Sequence, residues 1–227
     1  EQFLKKKGAC TELKYLALIE SGLRPTALSH AKAKGYWQFI PSTGKIFNLH
    51  TTSQWDHRSD FTRSSEAAVK YLNQLHGQFG AWDLAMAAYN TGPTRLKNEI
   101  TAQKVDRYWR LRLHREAERY VPRFVAVKMV MERLRQYGFD ESITPGWARP
   151  DVDYVRVSLK KLERLNLKGV ADGGGLDFRR LSALNPELMR GDLKGPFSEV
   201  IEVPKGTAKT FRNWVKTATK KMPKRRV

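Results

Sequence analysis

Residues 11–22, TELKYLALIESG, carry the strongest structural signal in this chain. Leu13, Leu16 and Ala17 fall on one face when the segment is wound at about 3.6 residues per turn, which is the pattern of an amphipathic helix. Gly22 suits the left-handed position just past a helix end. The stretch therefore predicts a helix that packs an apolar face into a core and stops at Gly22.

An acid continues this apolar face. Glu20 takes the next helical position after Leu13, Leu16 and Ala17, where a hydrophobic side chain is expected. A carboxylate in that place is partly desolvated, which disfavours its charged form and raises its pKa. A general acid that works near neutral pH needs such a pKa. The alternative is a carboxylate at a helix terminus that turns out to solvent, and spacing alone leaves both open.

Further sequence blocks follow in the first 137 residues. They are ESGLRP at 20–25 with Ser29 after it, GYWQFIPSTG at 35–44, AAYNTG at 87–92, and RYWRL at 107–111 leading into EAERYVP at 116–122. Together the blocks resemble the lytic transglycosylases of glycoside hydrolase family 23. The last block resembles the membrane-bound lytic transglycosylase D branch in particular. Four blocks in the right order are far more specific than any one of them.

The resemblance implies a fold and an activity. The fold is a lysozyme-like helical domain of the SLT or goose-lysozyme type. The activity is cleavage of the β-1,4 bond between N-acetylmuramic acid and N-acetylglucosamine in peptidoglycan glycan strands, with no cofactor and no metal. Glu20 would protonate the leaving oxygen, and the resulting carboxylate would take the proton of the muramyl 6-hydroxyl. That hydroxyl would close a 1,6-anhydro ring without consuming water.

Without the resemblance the chemistry is less determined. Glycosidases ordinarily use two carboxylates. The obvious second candidates in residues 1–150 are Asp56, Asp60, Asp83 and Asp106. Asp56 and Asp60 fit equally well as turn or cap residues. The mechanism with one carboxylate, which the resemblance implies, removes the need for any of them.

The resemblance also implies sugar-binding residues in the first two blocks. Ser29 and Gln38 correspond to residues that hydrogen-bond the sugar beside the scissile bond. Their alternative roles are turn capping for Ser29 and a surface amide for Gln38. Ile40 stands where many members of the family have methionine, so the pocket is expected to stay apolar.

Three residues of the later blocks complete the expected site. Tyr89 and Asn90 end a helix rich in small residues, and Asn90 is expected either to bind substrate or to cap the helix. Tyr120 lies on the apolar face of a long helix, where its hydroxyl needs a partner. In the family that partner is the catalytic carboxylate, here Glu20, and plain core packing is the alternative.

The composition points to a polyanionic environment. The chain has 227 residues, 42 Lys and Arg against 23 Asp and Glu, and a formal net charge of +19. Such a charge predicts an anionic membrane, a cell envelope or nucleic acid nearby, although no motif predicts specific reading of nucleic acid. No stretch approaches the ~20 apolar residues of a membrane span. We expect a monomer that is periplasmic, attached to the cell envelope or secreted, with any signal peptide removed before Glu1.

The pattern changes at a stretch rich in Gly, Pro and acidic residues. We predict a catalytic domain at 1–138, a linker at 139–150, a small α+β domain at 151–204 and a basic tail at 205–227. In the first domain Ser65 is predicted to cap a helix that closes near Gly77. Residues 82–89 form another helix, and the longest runs from Glu116 to Tyr137 with one continuous buried face. Residues 38–64 are predicted to be an irregular loop that lines a cleft.

The remainder of the chain predicts strands at 154–157 and 200–203 and a helical turn near 178–184. Residues 181–188 resemble the second half of a LysM carbohydrate-binding module. The opening Gly-Asp-Thr of that module is missing and Gly173–Gly175 interrupts the pattern, so glycan binding and a packing role both remain open. The last 24 residues carry nine Lys or Arg and no acid. The spacing of their apolar residues predicts a helix up to Pro223, either an envelope-anchoring tail or a helix docked on the small domain.

Three functions compete on this sequence. They are a peptidoglycan lytic transglycosylase, a hydrolytic muramidase on the same scaffold, and a basic envelope-binding protein without catalysis. Glu20, Gln38, Asn90 and Tyr120 are all present, which argues against the third. The first two functions differ only in their product.

Overall fold

A computed structural model describes residues 1–139 and 150–221 of the chain, which folds into two compact units. The described residues of the first unit are 1–49 and 61–139, and those of the second are 50–60 and 150–221. The first unit is helical, whereas the second combines helices with short strands. The predicted class, a mainly helical protein with a smaller α+β part, is therefore confirmed.

Helices build the first unit. They are α1 (Gln2–Lys6), α2 (Lys14–Ser21), α3 (Pro41–Ile46), α4 (Phe61–Phe79), α5 (Trp82–Thr91), α6 (Pro93–Gln103) and α7 (Arg115–Glu132). Helix α5 is central and contacts α4, α6 and α7. Its Ala85, Ala87 and Ala88 are fully buried, and such small side chains let neighbouring helices pack closely. This packing fixes the end of α5, with Tyr89 and Asn90, against α7.

Two helix boundaries differ from the prediction. Helix α4 begins at Phe61, so Ser65 does not cap it. Ser65 is buried inside the helix, where its Oγ accepts a hydrogen bond from Trp37 Nε1 at 2.9 Å. Helix α7 ends at Glu132 because Arg133 leaves helical geometry (φ −138°, ψ 43°), and a separate 3-10 turn follows at 134–137. The predicted buried face also ends early, since Met131 is 43 % exposed.

The second unit holds two small sheets. Its elements are β1 (Val152–Leu159), β2 (Glu163–Asn166), α8 (Val170–Gly174), α9 (Phe178–Leu184), β3 (Asp192–Lys194), β4 (Phe197–Pro204), α10 (Ala208–Ala218) and β5 (Lys220–Lys221). Strands β1 and β4 pair antiparallel with Val155 opposite Ile201, and the second sheet has the order β3-β2-β5. Every second residue of β1 from Val155 to Leu159 is buried, as expected for a half-buried strand. The two predicted strands and the helix at 178–184 are confirmed, while β2, β3 and β5 were not predicted.

Residues 50–60 belong to the second unit, although the sequence placed them in the catalytic domain. Trp55 is buried in the core of the second unit, with its ring centroid 5.6 Å from that of Phe197. The backbone N–H of Asp56 donates to the carbonyl of Glu187 at 2.8 Å. Because these partners lie more than 130 residues away along the chain, no local pattern around Trp55 indicates them. Residues 38–64 are therefore not one loop, since they contain α3, this segment and the start of α4.

Helix α10 is a structural part of the second unit. Phe211 is fully buried and Trp214 is 8 % exposed, and both lie in the core. A Cβ atom on Gly173 would stand 2.5 Å from Trp214 Cδ1, and one on Gly174 would stand 2.9 Å from Val170 Cγ2. Among the glycines that interrupt the LysM-like pattern, Gly173 therefore makes room for the Trp214 indole and Gly174 for the Val170 side chain. Of the two roles left open for the tail, the structure supports a docked helix as far as Ala218.

Candidate active site

Glu20 lies in the last turn of α2, and the chain turns sharply after it. Gly22 adopts the predicted left-handed conformation (φ 60°, ψ 33°) and its N–H donates to the carbonyl of Leu18. The buried Ser21 places its Oγ 2.9 Å from the carbonyl oxygen of Tyr36. This contact ties the end of α2 to the GYWQFIPSTG block. The backbone that carries Glu20 is therefore held by its own helix and by the contact with Tyr36.

Tyr120 is the direct partner of Glu20. Its hydroxyl donates a short hydrogen bond to Glu20 Oε1, although 100 residues separate the two along the chain. Tyr120 is buried, whereas Glu20 is half-buried. Glu116 and Arg123 lie four residues before and three residues after Tyr120, so α7 presents all three side chains on one face. The predicted pairing of Tyr120 with Glu20 is thus present in the structure.

Burial sets the protonation of Glu20. The pKa of Glu20 is raised from its ordinary 4.5 to about 7, chiefly by desolvation and to a lesser extent by the nearby Glu116 carboxylate. The hydrogen bond from Tyr120 and the charge of Arg123 act in the opposite direction and lower this pKa. Near neutral pH both protonation states of Glu20 are then populated. A group in that condition can give a proton and take one back within a single turnover.

Two phenols, the half-buried Tyr89 and the buried Tyr120, lie near this carboxyl group. Desolvation, together with the charge of Glu20, raises the pKa of both Tyr89 and Tyr120 well above its usual range. Both hydroxyls therefore stay protonated and act as donors. The Tyr89 hydroxyl donates to the backbone carbonyl of Trp37 at 2.8 Å. Its ring packs against Tyr71 and Phe39, with centroids 5.4 and 6.2 Å away. Tyr89 thus holds the residue next to Gln38 against α5.

Asn90 links α5 to the first turn of α7. Its Nδ2 donates to Glu116 Oε1 at 3.1 Å. The neighbouring Thr91 Oγ1 lies 2.8 Å from His114 Nε2. In the described residues the Oδ1 atom of Asn90 is buried and has no hydrogen-bond partner. Buried acceptors usually have a partner, so this oxygen is a candidate contact for a bound molecule.

The three remaining predicted residues lie in the loop between α2 and α3. Gln38 has a positive φ of 49°, and its Nε2 donates to the carbonyls of Gly35 at 2.8 Å and Ala27 at 3.1 Å. It therefore braces this loop rather than standing as a free surface amide. Ser29 Oγ accepts from the N–H of Ala33 at 3.0 Å, which is the turn-capping role. Ile40 is exposed just before α3. In the part of the chain that the structure describes, neither Ser29 nor Gln38 forms a hydrogen bond with Glu20.

The comparison with known proteins identifies the helical part. Residues 2–111 match the family described as Transglycosylase SLT domain. These residues are similar to that family, and we refer to them below as the SLT domain. The domain carries Glu20, Gln38 and Asn90, whereas Tyr120 lies beyond its end on α7. Helix α7 therefore completes the surroundings of the carboxyl group from outside the matched residues.

Relatives extend the similarity beyond the SLT domain. The membrane-bound lytic murein transglycosylase D of Escherichia coli K12 is 30% identical over 214 residues, which are 92% of this chain and 46% of that protein. A putative tributyltin chloride resistance protein of Alteromonas sp. strain M-1 is 35% identical over 99 residues, which are 43% of this chain and 48% of that protein. The chain thus spans about half the length of the curated relatives it matches. The resemblance to lytic transglycosylases is confirmed.

A solved structure is also similar to this chain. It is an inactive mutant of the lytic transglycosylase Slt from Pseudomonas aeruginosa, with 21% identity and a TM-score of 0.44. The similarity covers 61% of this chain and 24% of that one.

The sequence missed some contributors to the site. Glu116 and Arg123 both influence the pKa of Glu20, and their helical spacing around Tyr120 was the signal that indicates them. The bond between Trp37 and Ser65 had no such signal, because a buried serine inside a helix looks like a cap.

Among the candidates for a second catalytic carboxylate, Asp56 is buried, caps a 3-10 turn and pairs with Arg58 at 2.8 Å. Asp56 therefore has the cap role that was its alternative reading.

A separate cavity lies in the second unit, outside the SLT domain. Its volume is about 500 Å³ and it is open to solvent. Phe178, Leu188 and Met189 supply apolar walls, while Lys168, Ser182 and Arg190 supply polar groups.

Across residues 1–139 and 150–221, none of the helices is long and apolar enough to cross a membrane. The same residues contain no group of three or more His, Cys, Asp or Glu side chains suited to a metal ion.

Proposed function

We propose that this protein is a peptidoglycan lytic transglycosylase that uses Glu20 as its acid and then as its base. The observation that carries the proposal is the half-buried Glu20 carboxyl group, with a pKa of about 7 and a hydrogen bond from Tyr120. A carboxylic acid with that pKa is protonated in a useful fraction of molecules near neutral pH. The SLT domain and the name of the Escherichia coli relative support the choice of substrate.

The proposed reaction has two proton transfers. Protonated Glu20 gives its proton to the oxygen between N-acetylmuramic acid and N-acetylglucosamine, and the bond from that oxygen to the anomeric carbon breaks. The Glu20 carboxylate then takes the proton of the muramyl 6-hydroxyl, whose oxygen bonds to the anomeric carbon. Glu20 ends protonated, as it began, and no water is used. A 6-hydroxyl held beside the anomeric carbon outcompetes water because it is part of the same molecule.

The other candidate residues have supporting roles in this proposal. Tyr120 orients the carboxyl group and stabilises its charged form between the two transfers. The unpartnered Oδ1 of Asn90 accepts a hydrogen bond from the sugar. Gln38 and Ser29 shape the loop and offer their remaining polar atoms to the glycan, while the exposed Ile40 contacts it through apolar surface. Tyr89 acts through the backbone of Trp37.

Hydrolysis is the second candidate function, and the observation that favours it is Glu116. This carboxylate lies close enough to raise the pKa of Glu20, and inverting or retaining hydrolases need a second carboxylate near the first. In that case Glu116 would activate a water molecule. The bond from Asn90 to Glu116 favours a structural use of Glu116, so we rank hydrolysis second.

Digestion of purified sacculi tests both functions. Mass spectrometry of the released muropeptides distinguishes anhydro ends from reducing ends, which are heavier by one water, ~18 Da. We expect anhydro ends, and a Glu20→Gln variant that is slower by ~10²-fold or more. Asp106→Asn is the control, because this exposed carboxylate lies outside the candidate site. Reducing ends would support hydrolysis, and full activity of Glu20→Gln would mean that another residue supplies the acid. Only a failure of the unchanged protein to digest sacculi would leave the non-catalytic envelope-binding function.

We also propose that the cavity of the second unit takes a sugar residue of the same glycan strand. An aromatic wall with a few polar groups is typical of sites for neutral polar ligands. The prediction is that Phe178→Ala weakens retention on insoluble peptidoglycan while cleavage of short soluble glycans is unchanged. Lys161→Ala is a control on an exposed side chain away from the cavity. Unchanged retention would leave the second unit with the packing role.

The substrate also suggests the location. We propose that the protein works as a monomer in the cell envelope, where peptidoglycan lies, and the name of the Escherichia coli relative, which calls that protein membrane-bound, supports this location. Cell fractionation and light scattering of the purified protein test the two statements separately.

A further inference from the structure

Helix α10 carries a row of positive charges on its outer face. Lys209, Arg212 and Lys216 are spaced by three and four residues, which places them within about 60° of the helix circumference and about 10 Å of its length. All three are exposed. The row is therefore a compact stripe and not a random scatter of lysines.

The fold fixes the direction in which this stripe points. Phe211 and Trp214 on the opposite side of α10 are buried in the core of the second unit. The Trp214 indole fits over Gly173, where a Cβ atom would stand 2.5 Å from the ring. Because the helix cannot roll without exposing these rings, the three cations are held outward.

The positive charge of the stripe is not neutralised. The sequence has no acid from Val203 to Lys221, and in the described residues no ion pair reaches the three cations. Other cations of the chain do find acids, such as Lys7 with Glu66 at 2.6 Å and Lys205 with Asp153 at 3.1 Å. Like charges three and four residues apart destabilise a helix. A stripe that keeps this repulsion is suited to a partner that supplies the negative charge.

More cations follow the stripe. Lys220 and Lys221 form β5, which lies at the edge of its three-stranded sheet. Lysines on an edge strand also prevent unwanted strand pairing, so the argument rests on the helix. The sequence continues with Lys224, Arg225 and Arg226. The C-terminal region thus adds to the positive charge of α10 and contains nothing that opposes it.

We propose that this face of α10 binds the surface of an anionic phospholipid bilayer. The aromatic residues of α10 face inward, so the contact is electrostatic and no side chain of the helix inserts into the lipid. The inward rings also leave no stacking platform for single-stranded nucleic acid. The inference concerns the second unit, whereas the candidate active site belongs to the first, and it does not depend on the proposed function.

The test is sedimentation with vesicles of phosphatidylcholine alone or with about 30 % phosphatidylglycerol, using the full chain. Each cation near an anionic surface strengthens binding about fivefold. Changing the three cations to glutamine should therefore weaken binding to the anionic vesicles on the order of 100-fold. Binding of the unchanged protein should fall steeply between about 0.05 and 0.5 M salt.

Two sets of matched variants isolate the position of the charge. The test variant combines Lys209→Gln, Arg212→Gln and Lys216→Gln. The first control removes three exposed cations of the first unit and combines Lys45→Gln, Lys70→Gln and Lys97→Gln. The second control keeps the charge and combines Lys209→Arg, Arg212→Lys and Lys216→Arg. Circular dichroism verifies that each variant is folded.

We expect strong loss only in the test variant. Equal loss in the first control would show that net charge alone attracts the protein, which would overturn the proposal. Failure of the unchanged protein to sediment with anionic vesicles would overturn it as well. So would binding only to isolated cell walls, because the partner would then be an anionic wall polymer. Glycan cleavage is measured separately, so none of these three results bears on the proposed function.

Discussion

Replacing Glu20 by glutamine should make the protein more stable while it removes activity. The pKa of Glu20 is raised from its ordinary 4.5 to about 7, chiefly by desolvation. Between these two values the folded protein keeps a proton on Glu20 that the unfolded chain releases. The free energy of unfolding therefore falls as the pH rises through this window, and the loss is complete above about pH 7.

The size of the effect follows from the same two values. Each tenfold change in proton affinity is worth about 1.36 kcal/mol, so the full cost of ionised Glu20 is roughly 3 kcal/mol. The half-buried side chain retains some contact with water, which reduces the figure to roughly 2 to 3 kcal/mol. Glutamine never ionises and avoids this cost. The stability gained by Glu20→Gln should accordingly grow by that amount between about pH 4.5 and about pH 8.

Urea unfolding at a series of pH values measures this gain. Far-ultraviolet circular dichroism follows the helical unit that contains Glu20. The control is Asp106→Asn, which removes an exposed carboxylate and should show no comparable growth with pH. A difference between Glu20→Gln and the unchanged protein that stays constant from acid to alkaline pH would refute the argument. It would mean that the Glu20 carboxyl group is not desolvated in the folded protein.

Three further outcomes follow from single contacts. Tyr120→Phe removes a hydrogen bond that lowers the pKa of Glu20, so the pH–rate profile on sacculi should move upward by about one pH unit or more, with a lower maximum. Ser65→Ala leaves Trp37 Nε1 buried without its acceptor, which should cost about 1 to 3 kcal/mol in urea unfolding. Phe211→Ala empties a fully buried position and should cost about 3 to 5 kcal/mol. If residues 205–227 were instead a free tail, Phe211→Ala would not change stability. Limited proteolysis distinguishes the two cases, because only loss of a docked helix would make the second unit easier to cleave.

The sequence predicted the parts of the fold that depend on local pattern. The apolar spacing of residues 13–17 and the left-handed Gly22 indicated α2, and the position of Glu20 on that face indicated its burial. Alternation around Val155 and Ile201 indicated β1 and β4. In each case the buried face repeats with the period of the element itself, so neighbouring residues carry the information.

The features that the sequence did not predict depend on distant partners. Ser65 resembles a helix cap in the sequence, because nothing nearby indicates that its hydroxyl accepts a hydrogen bond from Trp37. Met131 continues the apolar spacing of α7, yet the core has ended before it, and spacing alone does not show how far a core extends. The role of Gln38 in bracing its loop likewise depends on the backbone carbonyls of Gly35 and Ala27, which the pattern does not place.

The packing of residues 50–60 in the second unit has a consequence for how the protein folds during synthesis. A ribosome releases Trp55 long before Phe197 and the strands that enclose it. Domains usually fold in order from the N-terminus during synthesis. Here residues 50–60 cannot pack into their core until the last quarter of the chain has been synthesised. The two units are consequently poor candidates for exchange by recombination at a single breakpoint. A gene fusion that moved only the SLT domain would include Trp55 but not the core of the second unit in which Trp55 is buried.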